Sequence, residues 1–114
     1  MELTSEAEVL LSLLYQEYCS RRRSGARIFA ASRFGDDSYL QSQIVPNIDL
    51  EDLSELLWEL RDAGMICASP GDDRVNDIEL LRAGVAHMDH RFSRNLKTVS
   101  EFVSNFSSLV PWLR

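Results

Sequence analysis

The stretch DLEDLSELLWELRDAG, residues 49–64, carries the strongest structural signal in the chain. Leu50, Leu53, Leu57 and Leu60 recur at intervals of three and four, and Leu56 and Ala63 widen the stripe. That spacing predicts an amphipathic helix over 50–63. Asp49 is placed to cap the first turn, and Glu51 and Asp52 suit the positive end of the helix dipole. Gly64 supplies the left-handed residue that stops it. The face away from the leucines carries Glu51, Glu55, Glu59 and Asp62. At about 100° per residue, Trp58 falls on that outward face too.

Downstream, two short apolar runs, Met65–Ala68 and Val75–Leu80, flank Ser69-Pro70-Gly71-Asp72-Asp73. This reads as a hairpin with Pro70 and Gly71 at its tip. Residues 84–92 then resume a helical pattern. Upstream, Leu3 to about Arg21 predicts a first helix, with Ser5 and Glu8 in capping-box spacing. Its apolar face is broad: Ala7, Leu10, Leu14 and Tyr18, flanked by Leu3, Leu11 and Leu13. Residues 26–30 alternate weakly and predict a short strand. Asp36, Asp37 and Ser38 are ready caps for a helix over Tyr39–Val45, with Tyr39, Leu40 and Ile44 facing the core. Pro46-Asn47 turns the chain into the leucine-rich helix.

Helix, strand, helix, turn, helix and hairpin together define an expected fold. It is α+β, mostly helical: a winged helix-turn-helix with a short β-hairpin wing and an extended C-terminal helical segment. Residues 1–92 would form the winged-helix domain. Residues 93–114 would be a C-terminal helical extension, either part of that domain or a dimerisation helix.

That extension has the most regular periodicity. Val85, Met88, Phe92, Leu96, Val99, Val103, Phe106 and Val110 step by 3, 4, 4, 3, 4, 3 and 4. Unbroken, about 26 residues would span roughly 39 Å, longer than a small domain needs for its own core. A two-in-seven stripe on a protruding helix wants a partner helix, which points to a homodimer through Leu96, Val99, Val103, Phe106 and Val110. Pro111-Trp112-Leu113 would then pack across it. The alternative is a bend near Ser93-Arg94-Asn95, with the last helix folded back on the first.

Charge separates the function classes. The chain has 114 residues and a net charge of −6, which disfavours non-specific binding to nucleic acid or anionic membrane. Residues 49–80 hold ten acidic and two basic residues, a balance of −8, on the surface that a winged helix turns to DNA. An exposed Trp58 among Glu51, Glu55, Glu59 and Asp62 reads as a protein-interface anchor; the plainer alternative is that Trp58 packs under another segment. The last third is basic, with Arg82, Arg91, Arg94, Lys97 and Arg114 against Asp89 and Glu101. Arg21, Arg22, Arg23, Arg27 and Arg33 form the one dense basic cluster, readable as a phosphate or acidic-partner contact or as a solvated helix end. Cys19 and Cys67 sit in apolar runs and read as buried, reduced thiols. With no signal-peptide pattern and no apolar run of membrane-spanning length, the expected setting is cytoplasmic, with no membrane partner.

His87 and His90 share a helix face but lack a third ligand, so no metal site and no cofactor is assigned. No phosphate loop, nucleophile elbow or paired apolar carboxylates are present, so no enzyme activity is expected and no catalytic residue is named.

Residues 34–46, 52–66, 80–84 and 88–92 together resemble the YjcQ-like winged-helix proteins of Gram-positive bacteria and their phages. The resemblance covers most of the chain and rests on fold determinants. It implies a winged helix in a mobile-element setting and carries over no catalytic residues. Leu81 stands where such proteins tend to have Thr, so the following helix lacks that side-chain cap.

The favoured expectation is a non-enzymatic winged-helix protein, dimeric, that binds another protein through the acidic face. The alternative is a DNA-binding regulator that contacts phosphates through Arg21, Arg22, Arg23, Arg27, Arg91, Arg94 and Lys97. A third reading makes the carboxylates mimics of DNA phosphates.

Overall fold

The computed structural model describes residues 2–113. They form α1 (Ser5–Arg23), α2 (Ile28–Ala31), β1 (Arg33–Gly35), α3 (Asp37–Gln43), α4 (Leu50–Asp62), β2 (Ile66–Gly71), β3 (Arg74–Leu80), α5 (Arg82–Phe92) and α6 (Leu96–Asn105), then a 3₁₀ turn at Pro111–Leu113. The class is α+β and mostly helical, with an antiparallel sheet in the order β1-β3-β2. Arg114, counted above in the basic third, lies outside the described residues.

α1 is the hub. Ala7, Val9, Leu10, Leu11, Leu14, Tyr15 and Tyr18 have no accessible surface, and α2, α4, α5 and α6 all pack on this helix. Its cap is Thr4, whose hydroxyl accepts the Ala7 N–H, rather than the expected Ser5–Glu8 box. Glu8 instead receives Arg91 at 3.0 Å, which leaves no carboxylate to close the box.

Three expectations upstream of α4 shift. The segment read as a strand, residues 26–30, leads into the helical turn α2, and the strand comes at Arg33–Gly35, paired with β3. The Arg21 guanidinium explains this. It donates to the carbonyls of Ala30 and Ala31 at 3.5 Å and of Arg33 at 2.7 Å, satisfying the end of the turn. α3 starts at Asp37, capped by Asp36, two residues earlier than the spacing suggested. Tyr39 is exposed rather than in the core, because its hydroxyl accepts from Arg21 at 3.0 Å.

α4 matches its expectation, with Asp49 capping through the Glu51 N–H and Gly64 at φ +78°. The hairpin is longer than the apolar runs implied. Its tip is Asp72-Asp73, both left-handed at φ 51° and 59°, and Pro70 and Gly71 lie within β2. β2 is an edge strand, where the missing proline N–H costs no ladder bond. Cys19 is buried as expected, but Cys67 is exposed. Strand alternation decides this: Ile66 and Ala68 take the core face of β2, so Cys67 points away.

The C-terminal stripe does not form one long helix. Ser93 and Arg94 are left-handed, at φ 50° and 60°, and Asn95 caps α6 through the N–H groups of Lys97 and Thr98. The bend is held by a compact network. The Tyr15 hydroxyl donates to Asp89 Oδ1 at 2.6 Å and accepts the Arg94 N–H at 2.9 Å. The Arg94 guanidinium spans both Asp89 oxygens at 3.0 and 3.2 Å. α6 then runs back antiparallel to α1, with Arg23 near Arg94, Gln16 bonded to Ser100, and Glu6 receiving the Trp112 indole N–H at 2.7 Å. Val99 and Val110 are buried, and Leu96, Val103 and Phe106 are partly buried, all against this chain's own core. Part of the seam read as a dimer interface thus serves this chain's own core, and Trp112 packs on its own chain.

α5 begins at Arg82 with no side-chain cap at Leu81, in line with the missing Thr. Gly84 in its first turn is pressed against the end of α4's connection to β2. A Cβ there would collide with the Met65 carbonyl oxygen and stand 2.9 Å from Leu80 Cδ1.

Two outcomes are expected. Gly84→Ala raises helix propensity by about 1 kcal/mol, yet it should lower stability by about 2 kcal/mol or more through the backbone clash, read as a fall in denaturant midpoint. At Asp89, burial acts to raise the carboxyl pKa, but hydrogen bonds from Arg94 and Tyr15 outweigh it and hold the pKa below the ordinary value. Its stabilisation is full above the unfolded-state pKa and is lost as pH falls through the lower folded value. Asp89→Asn should therefore cost about 1–2 kcal/mol at neutral pH and show a shallower acid loss than wild type, measured by thermal melts below about pH 4.

Candidate functional site

The outward face of α4 and the hairpin are both acidic, and they meet at a cavity lined by Glu51 and Asp73. Glu51, Asp52, Glu55 and Asp62 are exposed on the helix, and Asp72, Asp73 and Asp77 on the hairpin. The two cations of this stretch are also exposed, but both are paired. Arg61 lies 4.4 Å over the Trp58 ring and 3.4 Å from Asp62. Arg74 is 3.2 Å from Asp37 and 3.5 Å from Asp36. Hydrogen bonding to Asp37 raises the Arg74 pKa further, so its charge is fixed where it sits. The Asp36 carboxyl is held below the usual range, first by the Tyr39 N–H.

Asp37 is the hinge pin of this surface. Read from sequence as one of several caps, it is instead buried, taking Arg74 Nε and the Val75 N–H, both at 3.2 Å. It ties the start of α3 to the hairpin. Between α3, α4 and the hairpin lies a small cavity of about 280 Å³, lined by Asp37, Ser38, Leu50, Glu51, Ser54, Asp73 and Arg74. Leu50, expected in the core stripe, is 39% exposed at its wall.

Trp58 is neither a free anchor nor a core residue. It is half-buried at the edge of the core cluster, with Arg61 across its outer side. Glu59 leaves the candidate set for another reason. It accepts both the Thr4 N–H at 2.7 Å and the Thr4 hydroxyl at 2.9 Å, locking α4 to the start of α1. The negative charge also suits the positive pole of α1.

The expected phosphate-binding cations divide in the same way. Arg21 is spent on Glu17 at 2.9 Å and on the carbonyls of Ala30, Ala31 and Arg33. Arg91 holds Glu8 at 3.0 Å, and Arg94 holds Asp89. Arg22 and Arg23 donate to the carbonyls of Ala26 and Arg94. Among the described residues, the Arg27 and Lys97 side chains make no ion pair or hydrogen bond. Five of these seven side chains therefore have a partner within the chain.

His87 stands 3.6 Å from Glu8 and His90 is exposed. Among the described residues no three His, Cys, Asp or Glu side chains gather in a way that would hold a metal ion. No helix among them is long and apolar enough to cross a membrane. A larger groove of about 420 Å³ between α1, α6 and the α3–α4 turn includes Leu13, Ile44, Val103 and Trp112 in its lining and shares no residue with the acidic cavity.

Compared with known proteins, the chain matches no family model, no curated protein and no solved structure.

Glu55 and Glu59 are one helical turn apart and separate the two roles. Glu59→Ala should cost about 1 kcal/mol by removing the Thr4 bonds. Glu55→Ala should stay within about 0.5 kcal/mol of wild type, both read by chemical denaturation.

Proposed function

We propose that this chain is a non-enzymatic winged-helix protein that binds another protein through the acidic outward face of α4 and the adjoining hairpin. The element order supports the winged-helix part. α4 follows the α3–α4 turn and precedes the hairpin, and β1 joins the sheet beside β3. In that architecture α4 is the helix offered to a DNA major groove and the hairpin is the wing. The resemblance to YjcQ-like proteins points the same way and, with it, to a bacterial or phage cytoplasm.

The observation that carries the binding reading is the one-sided charge of this surface. Glu51, Asp52, Glu55, Asp62, Asp72 and Asp73 are exposed on α4 and the hairpin tip, while the two cations of the stretch, Arg61 and Arg74, are exposed but paired with Asp62, Asp36 and Asp37. A duplex presents a dense row of phosphates, and binding to it comes largely from Lys and Arg contacts. This face repels one. A protein surface with cations around an apolar group is its complement, with Leu50 and the edge of Trp58 as the apolar contacts.

The test is capture of binding proteins from bacterial lysate by wild type, Trp58→Ala and Glu51→Lys/Glu55→Lys, with folding checked by circular dichroism. Proteins held by wild type should be lost by the charge-reversed variant and weakened about tenfold or more by Trp58→Ala. A mobility shift on duplex DNA at low salt should show no complex. Binding with a steep negative salt slope, lost on Arg22→Glu/Arg23→Glu and kept by the acidic-face variants, would replace this reading with the DNA-binding one.

A further inference from the structure

We infer that the complement of the acidic face is present on the chain itself, and that copies associate head to tail, the Phe29 knob of one entering the α4–hairpin cavity of the next. The inference rests on the reading of the acidic face given above and names its partner as a second copy of this chain.

The knob is α2. Phe29 is 67% exposed and Ile28 41%, two large apolar side chains side by side on a four-residue helix. The Arg33 guanidinium lies 4.0 Å over the Phe29 ring, and its own carboxylate, Glu79, is 3.6 Å away. Arg27 precedes the turn without a side-chain partner among the described residues, and Arg22 reaches the same turn through the Ala26 carbonyl. The result is an aromatic projection rimmed by cations. The stacked Arg33 restricts the ring, which lowers the entropy lost when the ring is captured.

The socket is the cavity beside Leu50. Its volume of about 280 Å³ can admit one aromatic side chain, and its lining sets the exposed Leu50 among Asp37, Ser38, Glu51, Ser54, Asp73 and Arg74; Arg74 is held by Asp36 and Asp37, which leaves the charges of Glu51 and Asp73 unpaired at the rim. Knob and socket match in two respects, size and opposite rim charge, with Leu50 as the apolar contact for the ring. They share no residue, so one molecule can use both at once. A contact of this kind is heterologous and builds open chains or rings rather than a closed two-fold dimer. One anchor and a few charge pairs make a weak interface, and the net charge of −6 opposes any close approach of copies. Association therefore belongs to concentrated solution.

Sedimentation of the full chain from micromolar to millimolar concentration, at physiological ionic strength, reads this directly. Wild type should show an average mass that starts at 13.0 kDa and climbs with concentration beyond that of a dimer. Phe29→Ser, which breaks the knob, and Glu51→Lys, which breaks the socket, should each remain monomeric. Their equimolar mixture should reach twice the monomer mass and stop there, since only one intact knob and one intact socket can meet. Arg27→Glu, at a side chain with no ion pair or hydrogen bond among the described residues, serves as a second knob variant.

Wild type that stays monomeric throughout, or a mixture that stays monomeric while wild type associates, overturns the inference. If self-association fails while Glu51→Lys/Glu55→Lys still abolishes capture from lysate, only the choice of partner is wrong and the acidic-face reading survives. If both fail, the acidic face is not a binding surface.

Discussion

The burial of α1 on nearly every side is the constraint from which the rest follows. A helix with Val9, Leu10, Leu11, Leu14, Tyr15 and Tyr18 all out of contact with water cannot be satisfied by one or two neighbours. Each such side chain stabilises the fold by about 1.5–3 kcal/mol only if it is fully covered. α4 and α5 cover part of the circumference, α2 another, and α6 closes what remains. The C-terminal stripe has the period of a seam between two chains, but a helix in need of cover lies within reach on the same chain. Intramolecular docking meets a far higher effective concentration than association does. The fold-back follows from that competition.

The fold-back needs a sharp reversal, and the residues at it are not glycines. Left-handed Ser93 and Arg94 each cost on the order of 1 kcal/mol. The Tyr15–Asp89–Arg94 network offsets this by using the side chain and the backbone N–H of Arg94 together. A cation that had looked available for phosphate is therefore a structural clamp. The same holds for Arg21 and Arg91, and Arg74 likewise ties the hairpin to α3. Exposed ion pairs add little stability one at a time, but here they decide where charge is left over. With so many cations paired inside the molecule, carboxylates dominate the α4–hairpin surface.

The sequence made the elements legible wherever a local period or a cap decided them. α1, α4 and the presence of a hairpin follow from spacing, Asp49 and Gly64. Legibility failed where a long-range contact chose between local options. Residues 26–30 alternate like a strand, and only the distant reach of Arg21 to the carbonyls after Ile28 makes the turn α2. Asp37 looks like a cap in sequence, and its burial depends on Arg74, 37 positions on. Glu59 and Glu55 are indistinguishable in a helical projection, yet Thr4 claims one and leaves the other. Phe29 carried no warning of its exposure, since an isolated aromatic in an apolar run is ordinarily core. In the candidate site, the acidic residues were readable and the cavity they rim was not.

The hairpin tip bears on whether the acidity is incidental. A two-residue turn with both residues left-handed favours Asn-Gly or Asp-Gly, because glycine adopts that conformation without strain. Here the positions hold Asp72 and Asp73, and a third left-handed aspartate, Asp77, sits at the irregular step of β3. Asp tolerates the left-handed region better than most residues. Two adjacent carboxylates still repel one another, and the second position does without the glycine that would relax it. Turn stability alone would not select this pair. Strain kept where a simpler residue would remove it points to a role for the side chains themselves. At this tip they adjoin the acidic face of α4 and supply Asp73 to the rim of the cavity beside Leu50.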